Sequence, residues 1–98
     1  MFVVLVDWTV APEDADRFAA LLTEQARTSR RVEPECHVFD ICQDPEQAGV
    51  FTLYEVYTDA GAFDVHLASA HMASFSAQAD PLTLSKSVRK LNRVADGS

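Results

Sequence analysis

Basic residues are scarce in this 98-residue chain: eight lysines and arginines stand against fifteen aspartates and glutamates, a formal charge of −7. Holding a phosphate backbone takes a concentrated basic surface that displaces counterions, so the charge argues against nucleic acid as a partner. Long apolar runs are missing as well. The first six residues are apolar, but Asp7 ends the run far short of the ~20 residues that cross a bilayer, and no basic stretch of a signal peptide precedes it. A cytoplasmic protein with no membrane contact is expected. No Gly-rich nucleotide loop and no obvious ligand cluster occur, so no flavin, haem, nicotinamide or metal is expected. Cysteine is limited to Cys36 and Cys42. Six apart in one strand, they are expected on the same side about 20 Å apart, too far to bridge, which leaves two free thiols in a reducing compartment.

The periodicities that are present describe one domain over residues 1–98, long enough for a small core. Phe2 to Val10 reads as a strand, with Phe2, Val4, Val6, Trp8 and Val10 on one face and Val3, Leu5, Asp7 and Thr9 on the other. Pro12 suits the first turn of a helix running to about Arg31, whose stripe is Phe18, Leu21, Leu22, Ala26 and Ser29. Val32 to Glu35 is a linker broken by Pro34. Cys36 to Gln43 and Val50 to Tyr57 are strands joined by the turn Asp44 to Gly49. Thr58 or Asp59 caps a helix from about Ala60, and Ser69 caps a second short helix with His71, Met72 and Phe75. After Asp80-Pro81, residues Thr83 to Val94 form a long last strand with room for a bulge, and 95–98 are a frayed tail.

The order β-α-β-β-α-(α)-β is that of an α+β, ferredoxin-like domain, a four-stranded antiparallel sheet with helices on one face. Both faces of the first strand are largely apolar, whereas helices cover only one. A homodimer that packs sheet against sheet into an α+β barrel is therefore expected.

Chemistry concentrates between Leu53 and Phe75. Glu55 and Tyr57 share a strand face with Leu53 and Phe51. His66 lies three residues from Phe63 on the helix that follows, at the edge of its buried stripe. A carboxylate beside an imidazole fixes its tautomer and raises its basicity, so Glu55 and His66 read as an acid–base pair or as a pair that satisfies itself at the core edge. His71 is a second acid or base, a substrate donor, or a packing residue at the helix junction. Asp7, flanked by apolar neighbours, reads either as a pocket residue or as a strand-end acid meeting an amide or a cation. A metal on Glu55, His66 and His71 is disfavoured, because an i, i+5 spacing does not stack two imidazoles on one helical face.

Several stretches together carry a family resemblance: Val-Leu-Val-Asp-Trp-Thr-Val at the start, Glu-Pro-x-Cys in the linker, Phe-Asp-Ile-x-Gln-Asp-Pro, and the run from Phe51 through Tyr57 to His66 and His71. Their order and spacing resemble the antibiotic biosynthesis monooxygenase (ABM) family. That resemblance implies a dimeric α+β barrel acting on a small molecule. Cofactor-free oxygenases of quinols or polycyclic aromatics belong to it, as do haem-degrading enzymes and an isomerase of phosphorylated linear autoinducer-2. The haem-degrading type has an Asn, a Trp and a His that fall at Asp7, Tyr57 and Ser76, so haem degradation is disfavoured. Isomerase-type relatives carry Asn and then His where Gln25 and Ala26 stand, which marks Gln25 as a substrate contact and weakens that transfer. Relatives usually have Gly at the position of Glu35, so the linker turn is expected to differ.

The expected function is a cofactor-free monooxygenase of a small quinol or polycyclic aromatic, with His66, Glu55, His71 and Tyr57 catalytic and Asp7, Leu53, Phe63 and Gln25 contacting substrate. The alternatives are an isomerase of a small phosphorylated hydroxy-diketone and a dimeric small-molecule binder without turnover.

Overall fold

A computed structural model describes residues 1–98. Strand β1 (Phe2–Val10) is followed by a 3-10 turn at Pro12–Asp14 and helix α1 (Ala15–Val32). Strands β2 (Cys36–Gln43) and β3 (Val50–Tyr57) lead into α2 (Ala60–Leu67) and α3 (Ala70–Ala79), then a 3-10 turn at Asp80–Leu82 and β4 (Thr83–Asn92). The sheet order is β2-β3-β1-β4 with every neighbouring pair antiparallel, the ferredoxin-like arrangement.

Local chemistry sets each boundary. Pro12 occupies the first helical turn, where its missing N–H costs nothing. Asp59 Oδ1 accepts from the Ala62 amide at 2.8 Å and Ser69 Oγ from the Met72 amide at 3.1 Å, so each residue starts a helix. The buried residues of α1 are Ala15, Phe18, Leu22, Gln25, Ala26 and Ser29, a stripe at spacings of three and four. That stripe meets Val4, Val6, Trp8 and Val10 of β1 and Phe51, Leu53 and Tyr57 of β3 in one core. Trp8 is its centre. It packs edge-on to Phe18 at 5.2 Å and Phe75 at 5.7 Å, and its indole N–H donates to Thr83 Oγ1 at 2.8 Å.

Two bulges alter the alternation. One lies at Leu84, where the β1–β4 register steps between Thr9 and Val10, in the strand whose pattern suggested irregularity. The other lies at His37 and was not expected. Cys36 pairs with Tyr57 and Val38 with Val56, so one extra residue turns Cys36 toward the helices while Cys42 stays on the opposite face. The two cysteines are free, one buried and one exposed, and not on one side of the strand. The last strand also ends at Asn92, two residues before the sequence pattern suggested.

On the face without helices, Val38, Val56, Val3 and Leu91 form an apolar row across all four strands. Leu91 there is 43% exposed.

The β2–β3 turn closes on β1 through the Val10 amide, which donates to the Gly49 carbonyl at 2.8 Å. A Cβ at Gly49 would run into the carbonyl oxygen of Val10. Gly49→Ala should therefore lower stability by roughly 1–3 kcal/mol through backbone displacement, read as a fall in the urea midpoint with unchanged slope.

Candidate active site

Between the sheet and the three helices lies an apolar cavity of about 420 Å³, counting its open mouth. Trp8, Leu53, Phe39, Phe63 and Phe75 supply most of its wall, and Gln25, Glu55, His66 and Lys86 are its polar groups. Leu67 and Val88, each about half exposed, stand at the rim. Mostly apolar walls with a few convergent polar groups are the usual make-up of a small-molecule site.

The most consequential residue is one assigned above to the linker. Glu33 ends α1, its N–H donating to the Ser29 carbonyl at 2.9 Å, and Pro34 keeps its backbone extended. That geometry turns the carboxylate inward, where the residue is 7% exposed. Glu33 Oε2 accepts from His66 Nδ1 at 2.9 Å and from His71 Nε2 at 2.6 Å. A carboxylate offers only acceptors, so both of these imidazole nitrogens carry protons. His66 is thereby fixed in the tautomer whose Nε2 lone pair is free. Burial holds its imidazole below the usual histidine range, against the opposing pull of Glu33, so the ring is a neutral proton acceptor at neutral pH. Glu33 Oε1 is buried without any donor. Such an orphaned oxygen costs on the order of 1–3 kcal/mol.

Glu55 does not pair with His66 as expected. It is 3% exposed, and its Oε1 accepts from the Tyr57 hydroxyl at 2.6 Å. Burial raises its pKa to about 7, the Tyr57 hydrogen bond and the Lys86 charge offsetting only part of the effect. The same burial, with the Glu55 charge, pushes the Tyr57 phenol far above the ordinary tyrosine range and keeps it a donor. Cys36, behind Tyr57, is raised to about 11 by burial and is an unreactive thiol.

Of the other residues singled out from the sequence, Leu53, Phe63 and Gln25 line the cavity. Tyr57 stands behind it, packed against Phe63 at 5.3 Å and His66 at 5.6 Å. Asp7 is not a pocket residue. Its place in the strand alternation puts it on the helix-free face, exposed, where it accepts from Thr52 Oγ1 at 2.7 Å. His71 borders a separate polar cleft between α1 and α3, which it shares with Glu24, Gln25 and Gln78. The i, i+5 objection to pairing the two imidazoles also lapses, because Ser69 interrupts the helix and puts His66 on α2 and His71 on α3. The signal that could have exposed Glu33 was Glu-Pro directly after a helix end, inside a stretch already singled out for its pattern.

The four-stranded antiparallel sheet with its helices makes this a ferredoxin-like α+β protein. Residues 1–78 match the model of the family described as antibiotic biosynthesis monooxygenase, and the chain belongs to that family. Among solved structures it resembles one named antibiotic biosynthesis monooxygenase, with 25% identity, a TM-score of 0.88, and coverage of 97% of this chain and 100% of that one. A Pseudomonas aeruginosa protein is 26% identical, with a TM-score of 0.86 over 96% of this chain and 94% of its own. A Nitrosomonas europaea protein at 22% identity shares the fold with a TM-score of 0.91, over 97% of this chain and all of its own. No curated protein matches the sequence.

The raised Glu55 carboxyl has a stability consequence. Its folded pKa of about 7 lies above the unfolded value near 4.5, so the native state keeps a proton that the unfolded chain has lost. The contribution is full below pH 4.5 and is lost as pH rises through about 7. Relative to Glu55→Gln, the native protein should lose on the order of 3 kcal/mol over that window. Urea unfolding of both proteins across the range measures it, and parallel curves would contradict the assignment.

Proposed function

We propose that this protein is an enzyme of the cofactor-free monooxygenase type, acting on a small quinol or polycyclic aromatic. The observation that carries the reading is the single Glu33 oxygen that receives both imidazole N–H groups and leaves His66 Nε2 free at the wall of an apolar cavity. His66 takes a proton from the substrate hydroxyl or activated carbon, with Glu33 stabilising the imidazolium that forms. Held in a water-poor pocket, the electron-rich anion reacts with O₂ directly. Glu55, half protonated near pH 7, supplies a proton to the resulting peroxide, and the carbon's remaining C–H proton is lost with hydroxide as the O–O bond breaks, so that one oxygen stays on carbon as a carbonyl and the other leaves as water. Tyr57 holds Glu55 in place, and Phe63, Leu53 and Gln25 shape the ring site.

An isomerase is the second reading, supported by Lys86 in the cavity lining, a cation suited to an anionic group on a small ketone. It needs no oxygen. Turnover followed with an oxygen electrode, aerobically and under nitrogen, separates the two. Binding of aromatic ligands without turnover under either condition would remove both.

His66→Ala should lower turnover by ~10²-fold or more, the order contributed by a positioned base, with Glu33→Gln giving a smaller fall by loosening the tautomer. A core histidine would instead cost on the order of 1–3 kcal/mol of stability with activity of the folded fraction intact. Rate and urea midpoint measured on the same samples discriminate these outcomes.

The working unit in this reading is a homodimer joined through the helix-free sheet face, where Val38, Val56, Val3 and Leu91 form an apolar row that ends in the exposed Leu91. Light scattering should give twice the chain mass at micromolar concentration. A stable monomer would refute the assembly. No helix is long and apolar enough to cross a membrane.

A further inference from the structure

We propose that Glu33, His66 and His71 also form a site for a divalent metal ion, Zn²⁺ by the chemistry of the donors, and that the bound ion switches His66 off. Three elements meet there: the end of α1, the last turn of α2 and the first turn of α3. One nitrogen of each ring and a carboxylate oxygen all lie within 4.8 Å of one another, with two of the separations 2.9 and 2.6 Å. Ligands at ~2.0–2.2 Å around a tetrahedral ion stand roughly 3.4 Å apart, so the donors reach an ion by moving about 1 Å.

A second observation points to a cation independently of this spacing. Glu33 Oε1 is buried and has no donor, on a residue that is itself 7% exposed. Hydrogen bonds from the two rings engage only Oε2, whereas a cation beside the carboxylate engages the charge of both oxygens. An entry route exists as well. The His71 side chain is 17% exposed and borders the polar cleft between α1 and α3, so an ion arrives without crossing the apolar cavity. Two imidazoles and one carboxylate are the donor set of a zinc site with an open fourth position, and imidazole nitrogen is a poor match for Ca²⁺ or Mg²⁺.

The effect on activity rests on the reading of His66 as the base. Coordination takes the Nδ1 lone pair and the ring stays neutral, so the His66 proton moves through solvent from Nδ1 to Nε2, and the His71 proton likewise from Nε2 to Nδ1. The nitrogen that accepted a substrate proton becomes an N–H donor. No bond other than those to the ion is made, and nothing is oxidised or reduced.

Calorimetric titration of the full chain with ZnCl₂, after treatment with chelator and dialysis, tests the site without any substrate. A Cys42→Ser background removes the exposed thiol as a competing ligand. One ion per chain is expected, with affinity lowered in Glu33→Gln and His71→Ala by more than the ~10–100-fold that loss of an outer partner costs. Equal affinity in the parent and His71→Ala, or no saturable binding, overturns the site. His71 is only partly buried, so His71→Ala keeps the test decisive if Glu33→Gln fails to fold. Turnover of the wild-type chain should fall as Zn²⁺ saturates and return with chelator. Binding with the expected ligand dependence but undiminished turnover overturns the switch alone, whereas activity retained by His66→Ala without zinc overturns the base.

Discussion

A carboxylate buried at the end of α1 governs how the rest of the chain is arranged. Taking an anion out of water is tolerable only where donors surround it, and Glu33 draws those donors from two helices that begin some 30 residues later. The need to bring both imidazoles to one oxygen explains why the second helical segment is broken at Ser69. A continuous helix would carry positions 66 and 71 to different sides, whereas the Ser69-capped junction lets each ring approach from its own helix. Pro34 contributes from the other direction by ending α1 beside Glu33, whose side chain is buried against the two rings.

Two carboxylates close to one cavity have different surroundings. Glu33 has two N–H donors, while Glu55 has one phenol hydroxyl and little else to offset its burial. Tyr57 acts through Glu55, and the aromatic packing of Phe63 and Tyr57 on His66 limits the ring's motion.

The architecture was readable from periodicity because its signals are local. Strand alternation in β1, the three-four stripe of α1 and the caps at Asp59 and Ser69 each lie within a dozen residues of sequence. His66 and Phe63 could be placed together for the same reason. Glu33 escaped notice because its partners are 33 and 38 positions away, and nothing in a helix-end glutamate followed by proline specifies which way the side chain turns. Glu55 was matched with His66 on proximity in topology, yet a tyrosine two residues away on the same strand face reaches it first. Asp7 was placed by its apolar neighbours when the alternation of β1 already set it on the opposite face from Val6 and Trp8.

The bulge at His37 imposes a rule of parity on the stretch from the buried glutamate into β2. Side chains along a strand alternate between faces, so a segment of fixed length delivers its residues to the helices on odd or even steps only. Cys36 and Phe39 both face inward although three positions separate them, which a regular strand forbids and one extra residue permits. Adding or deleting a single residue between Cys36 and Phe39 would make their separation even, so that both keep their inner positions on a regular strand and the bulge is no longer needed. Substitutions in this segment are read one at a time, but its length is read modulo two.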